Sequence, residues 1–184
     1  APQQAAPEPE TAKPAGVQAW SARELSEMVL PPIRHVVEGL LPMGMGVLVA
    51  KPKLGKSWMV LDLCLAVAQG EPFLGFPTRQ HGTLYLALED GKSRLLEGRP
   101  APANMHVMFQ AQRLGEGLLE TLGEYLDANP DIHLVCIDTL SKIKPKAKPF
   151  ENAYDADYDY MGRLKAFADS RGICVLLVHH TRKS

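Results

Sequence analysis

The chain has 184 residues, 46% of them hydrophobic and 22% charged, and its 20 basic and 21 acidic side chains leave a formal net charge of −1. That length suits one domain with a short tail and is enough to bury a core without staples. The near-neutral balance excludes a histone-like or polybasic protein but leaves room for a local basic patch.

Residues 1–19 hold four prolines, six alanines and one large aliphatic, Val17. Such a segment cannot repay its ordering entropy and is expected to be a disordered arm or linker. Ser21 and Glu24 have capping-box spacing, which predicts a short helix through Met28 before the Pro31-Pro32 break. A short strand is expected over Ile33–Val37 and a loop over Gly39–Gly46. Strand and helix then alternate. Gly46–Ala50 is a strand, Lys56–Gln69 a helix stopped by Gly70, and Thr83–Leu88 and Met105–Phe109 are strands. Leu118, Leu122, Tyr125 and Leu126 stripe a helix ending near Asn129-Pro130. Ile132–Asp138 is a strand, about Ala153–Ser170 a helix, and Ile173–His179 the last strand. Four of these strands are continuous apolar runs, the pattern of strands buried on both faces. The expected fold is therefore α/β, a mostly parallel central sheet with helices on both faces.

Cys64, Cys136 and Cys174 each lie inside an apolar run and form no Cys-x-x-Cys pair. They read as reduced core thiols, consistent with a cytoplasmic location. No run approaches the ~18 apolar residues of a membrane span, so no membrane partner is expected. His35, His81, His106 and His133 lack metal-ligand spacing.

One motif dominates. Ala50-Lys51-Pro52-Lys53-Leu54-Gly55-Lys56-Ser57 fits a phosphate-binding loop, with Ala50 where the first glycine usually stands, and it lies between a buried strand and a helix. A tight turn at a helix N-terminus points backbone N–H groups at phosphates, and Gly55 lets the backbone approach them. Lys56 supplies a cation to the β- and γ-phosphates of ATP, and Ser57 a hydroxyl for Mg²⁺. Trp58 follows the loop directly; with Trp20 it reads as a core or docking residue.

Asp138 ends an apolar strand in the manner of a Walker B element and is expected to hold Mg²⁺, directly or through water. Glu89 and Asp90 close another strand; Glu89 is the better placed base for the attacking water, with Asp90 as cap or support. His179 and His180 end the last strand, where a polar residue can hydrogen-bond a γ-phosphate or simply be solvated. Lys142, Lys144, Lys146 and Lys148 alternate just after Asp138. They form either a solvated loop or a track for a nucleic-acid backbone. Tyr154, Tyr158 and Tyr160 alternate with acids and are read as packing residues, on the sheet or at a subunit boundary.

Taken together, MGVLVAKPKLGKS, LYLALED, LVCIDTL and LLVHHTRK resemble the RecA-type core of the AAA_25 or RepA-like group, which includes hexameric replicative helicases. The resemblance runs from about Pro31 to Ser184. It implies that Lys56 and Ser57 are phosphate and Mg²⁺ ligands, Glu89 the catalytic carboxylate and Asp138 the Walker B acid. It also places His180 at the γ-phosphate-sensing position, a glutamine in recombinases, with His179 as the fallback. The implied activity is Mg²⁺-dependent ATP hydrolysis by a homo-oligomeric ring, a hexamer in that group, coupled to movement on single-stranded DNA. Two departures stand out. The stretch from Arg94 to Met105 is shorter than the group usually has, so a helix is expected to be missing there. The chain also stops before the DNA-facing loop and basic finger of that group, so residues 20–184 read as a motor core cut short at its C-terminal end. A nucleotide-dependent regulatory or assembly module with slow turnover is the alternative. A small-substrate kinase is disfavoured because no Arg-rich lid insertion appears.

Overall fold

The computed structural model describes residues 19–89, 91, 98, 102–145 and 153–181, with the backbone alone for 153–157. The expectations about Asp90, about a missing helix between Arg94 and Met105, and about Lys146 and Lys148 fall at least partly outside them, as does nearly all of the 1–19 arm. The chain divides into two compact units, 1–32 and 33–184. The first contains helix α1 (Ala22–Glu27). The Ser21 hydroxyl accepts the Glu24 N–H at 3.2 Å and the Glu24 carboxylate accepts the Ser21 N–H at 2.7 Å, so the capping box forms as expected.

The second unit opens with a two-stranded antiparallel ribbon, β1 (His35–Val37) and β2 (Leu41–Pro42). The sequence led us to expect a loop over Gly39–Gly46. Strands of three and two residues carry too little periodicity to be read, and this ribbon is closed by a turn at Gly39, where φ is 69°. The remaining elements are β3 (Gly44–Ala50), α2 (Lys56–Gln69), β4 (Gly82–Ala87), β5 (Met105–Met108) and α3 (Leu118–Ala128). β6 (Ile132–Asp138), α4 (Leu140–Ile143), α5 (Ala153–Arg171) and β7 (Cys174–His180) follow. The four-residue α4 was not expected.

The five long strands form one parallel sheet in the order β3-β7-β6-β4-β5. Chain direction explains the two layers. From β3 the chain crosses to β4 through α2, and from β5 it returns to β6 and β7 through α3 and α5. Crossovers are right-handed, so reversing direction places the return helices on the opposite face. Two apolar clusters record this. Leu134 and Cys136 of β6, Cys174, Leu176 and Val178 of β7, and Tyr85 and Ala87 of β4 pack with α2. Val135, Ile137, Val175, Leu177, Leu84 and Leu86, the alternate positions, pack with Leu118, Leu122 and Leu126 of α3 and Leu164 and Ala168 of α5.

β3 corrects one expectation. Val47 and Val49 are exposed, so this strand is not buried on both faces; among the described strands it stands at the edge of the sheet. Its continuous apolar run hides the asymmetry. α2 is covered along most of its length by the sheet and by the 71–80 segment. The Thr78 hydroxyl donates to the Glu71 carbonyl at 2.7 Å, and the Asn104 amide to the Ala68 carbonyl at 2.9 Å. Gly70 ends α2 in a left-handed conformation, with its own N–H on Val67 and the Glu71 N–H on Ala66.

At the amino-terminal end of the sheet the rings of His81 and His133 stack with centroids 4.2 Å apart. Burial pushes His81 below its usual 6.5, the positive fields of His133, Arg34 and Arg79 add to this, and Asp131 opposes it. A base with a depressed folded-state pKa binds fewer protons folded than unfolded, so stability falls as pH drops from about 6.5 toward the lower folded value. Thermal melts between pH 7.5 and 5 are expected to show this loss, and His81→Asn to remove the part due to His81.

Candidate functional site: a phosphate loop at the carboxyl ends of the strands

The loop leaves β3 at Ala50 and enters α2 at Lys56. Lys53 and Gly55 both have positive φ, 64° and 80°. A Cβ at Gly55 would meet nothing within 4 Å, so φ rather than space is what calls for glycine there. Ala50 causes no difficulty because it is still in the strand, paired with His180. The first turn of α2 has N–H groups without intrahelical partners, the donors a phosphate would take. Lys56 is only 6% exposed, and its ammonium donates to the carbonyls of Ala50 at 3.0 Å and Lys51 at 2.7 Å.

Strand alternation brings the remaining groups to this same face. In β6, Leu134 and Cys136 face α2, so Asp138 does too; in β7, Cys174, Leu176 and Val178 put His180 there and His179 on the reverse. Thr83, Tyr85 and Ala87 point β4 the same way, and Glu89 lies just beyond its end. The ends of these strands are held level. The Leu88 N–H donates to the Asp138 carbonyl at 2.9 Å and the Thr181 N–H to the Ala50 carbonyl at 3.3 Å. Glu89 Oε2 lies 3.6 Å from His180 Nε2, both side chains being partly exposed. The structure therefore brings His180, not His179, to the Glu89 carboxylate.

Asp138 is buried. Its Oδ2 accepts a hydrogen bond from the Tyr85 hydroxyl at 3.1 Å, whereas Oδ1, Thr139 Oγ1 and His180 Nδ1 are buried with no hydrogen-bond partner among the described residues. Orphaned polar atoms of this kind fit a ligand-binding site. The hydroxyl of Ser57 and the free oxygen of Asp138 are hard donors of the type Mg²⁺ takes. Among the described residues no group of three or more His, Cys, Asp or Glu could hold a metal alone. A cation here would rely on phosphate oxygens and water as well, as Mg²⁺ does at nucleotide sites.

Tyr85 and Thr139 were missed from sequence. Of the lysines, Lys142 is exposed on α4 rather than in a loop, and the Lys144 carbonyl accepts a bond from Arg113. Trp20 and Trp58 are 47% and 42% exposed, so neither belongs to the core. Tyr158 is exposed, while Tyr160 packs with the α3–α5 cluster.

A five-stranded parallel sheet with a phosphate loop leaving its edge strand and carboxylates at the ends of inner strands defines a P-loop ATPase with a RecA-like core. The chain belongs to the AAA_25 family, an AAA domain, which matches residues 11–184. The comparison with curated proteins finds no match. Among solved structures the chain is similar to the ATPase domain of a helicase, with a TM-score of 0.59 at 13% identity. That likeness covers 77% of this chain and 58% of the other, and at such identity it speaks for the fold alone. No described helix is long and apolar enough to cross a membrane.

Proposed function

We propose that this chain is the motor core of a RepA-like DNA helicase, a cytoplasmic ring, hexameric in form, that couples Mg²⁺-dependent ATP hydrolysis to movement along single-stranded DNA. The observation that carries this reading is the convergence of Lys56, Glu89, Asp138 and His180 on one face of the sheet, at the ends of four strands. The amides of the loop 50–58 and the Lys56 ammonium bind the phosphates. Ser57 and Asp138 hold Mg²⁺, which when bound neutralises phosphate charge. Glu89 takes the proton of the attacking water. His180, beside it, hydrogen-bonds the γ-phosphate and senses its loss. Lys142, Lys144, Lys146 and Lys148 follow the DNA backbone.

The test is steady-state hydrolysis at rising protein concentration, with and without single-stranded DNA at low salt. A DNA-stimulated rate that climbs faster than linearly with concentration is expected, because sites in a ring need neighbours. A linear rate indifferent to DNA would overturn the ring motor. ATP bound without turnover, with an ATP-dependent change in oligomer size, would favour the assembly-switch alternative.

A further inference from the structure

Tyr85 lies in the middle of β4, fully buried, among the largest side chains of the core. Its ring packs on the α2 side with residues such as Cys136 and Val178. A phenylalanine would fill that space equally well. The hydroxyl is the costly part, since a buried phenol needs a partner. Its partner is the carboxylate of Asp138, at 3.1 Å and 53 residues away in sequence. The pairing register explains the reach: Tyr85 is opposite Cys136 and Ala87 opposite Asp138 on neighbouring parallel strands, so the phenol extends along the strand direction to the acid.

We propose that Tyr85 is a positioning residue of the nucleotide site: its hydroxyl holds one oxygen of Asp138, fixing the carboxylate so that the other oxygen serves the divalent cation that accompanies ATP. This rests on the reading of Asp138 given above. The two carboxylate oxygens differ as the proposal requires. Oδ2 is occupied by the phenol, and Oδ1 is buried with no hydrogen-bond partner among the described residues. A carboxylate with one oxygen clamped loses rotational freedom about its terminal torsion, and so presents the other at a set angle. Tyr85 touches neither nucleotide nor cation; it acts through Asp138.

The experiment follows a fluorescent ATP analogue, N-methylanthraniloyl-ATP, binding first in EDTA and then during a Mg²⁺ titration, in the unaltered chain, Tyr85→Phe and Asp138→Asn. In Tyr85→Phe, affinity in EDTA should be unchanged, while the Mg²⁺ concentration giving half of the metal-dependent gain rises about tenfold. A Tyr85 that only fills the core predicts otherwise. Then the Mg²⁺ midpoint stays put, or affinity falls equally with and without metal, and either result overturns the proposal provided Asp138→Asn does shift the midpoint. If Asp138→Asn leaves the midpoint unmoved, the reading of Asp138 itself fails, and the role of Tyr85 with it.

Discussion

Glu89→Gln is expected to lower the rate of ATP hydrolysis by about 10²–10⁴-fold, the usual contribution of a positioned general base, while ATP still binds. Glutamine keeps the length and shape of the side chain but cannot accept a proton from water. Its effect on folding should be slight: Glu89 and His180 are both partly exposed at 3.6 Å, and an ion pair so open to solvent contributes little to stability. Single-turnover hydrolysis measured beside binding of a fluorescent ATP analogue separates the two effects. Turnover retained in Glu89→Gln would remove Glu89 from the base role and direct attention to Asp90.

The position of Glu89 also shows why the site needs the whole sheet. A carboxylate just past β4 and an imidazole at the end of β7 come together only because β6 lies between those strands and all three run in parallel. The bonds from Leu88 to Asp138 and from Thr181 to Ala50 then keep the strand ends at one height. No segment shorter than the full alternation of strands and helices could assemble these groups.

Elements with chemical punctuation were legible in the sequence. Helix α2 matches its expected bounds, Lys56–Gln69, because Gly55 and Gly70 bracket it, both at positive φ. Strand β6 matches Ile132–Asp138 because Pro130 precedes it and an acid ends it. The β1–β2 ribbon and α4 were not legible, since each is shorter than the period that would reveal it. The exposed side of β3 was hidden for a different reason: Val47 and Val49 are as apolar as their buried neighbours, and only strand order tells which face is covered.

The site divides in the same way. The loop residues are contiguous and could be read directly. The choice between His179 and His180 depends on strand phase, where a slip of one residue changes the face. The expected strand, Ile173–His179, is displaced by one residue from Cys174–His180. The burial of Cys174, Leu176 and Val178 against α2 settles which histidine meets Glu89. Tyr85 was passed over because a tyrosine within a buried apolar run looks like core, and its partner is set by cross-strand register rather than by local spacing.

Lys56→Ala is expected to weaken ATP binding by about 100-fold or more, and hydrolysis with it. Two charge-assisted hydrogen bonds at about 1.5 kcal/mol each amount to roughly 3 kcal/mol, and each 1.4 kcal/mol is a factor of ten. The ammonium has three N–H donors. Two are directed to the carbonyls of Ala50 and Lys51, which ties the ends of the loop to the first turn of α2, and one remains for a phosphate oxygen. A bound phosphate can also draw the ammonium away from those carbonyls, so the same side chain shapes the loop and then serves the ligand. Lys56→Met separates these roles from bulk, because it keeps most of the stem that is buried here. If Lys56 acts through its charge, Lys56→Met and Lys56→Ala should lose affinity alike in isothermal titration with ATP, with melting temperatures reported alongside. If Lys56→Met binds as the unaltered chain does, the ammonium is not a phosphate ligand and the loop has been misassigned.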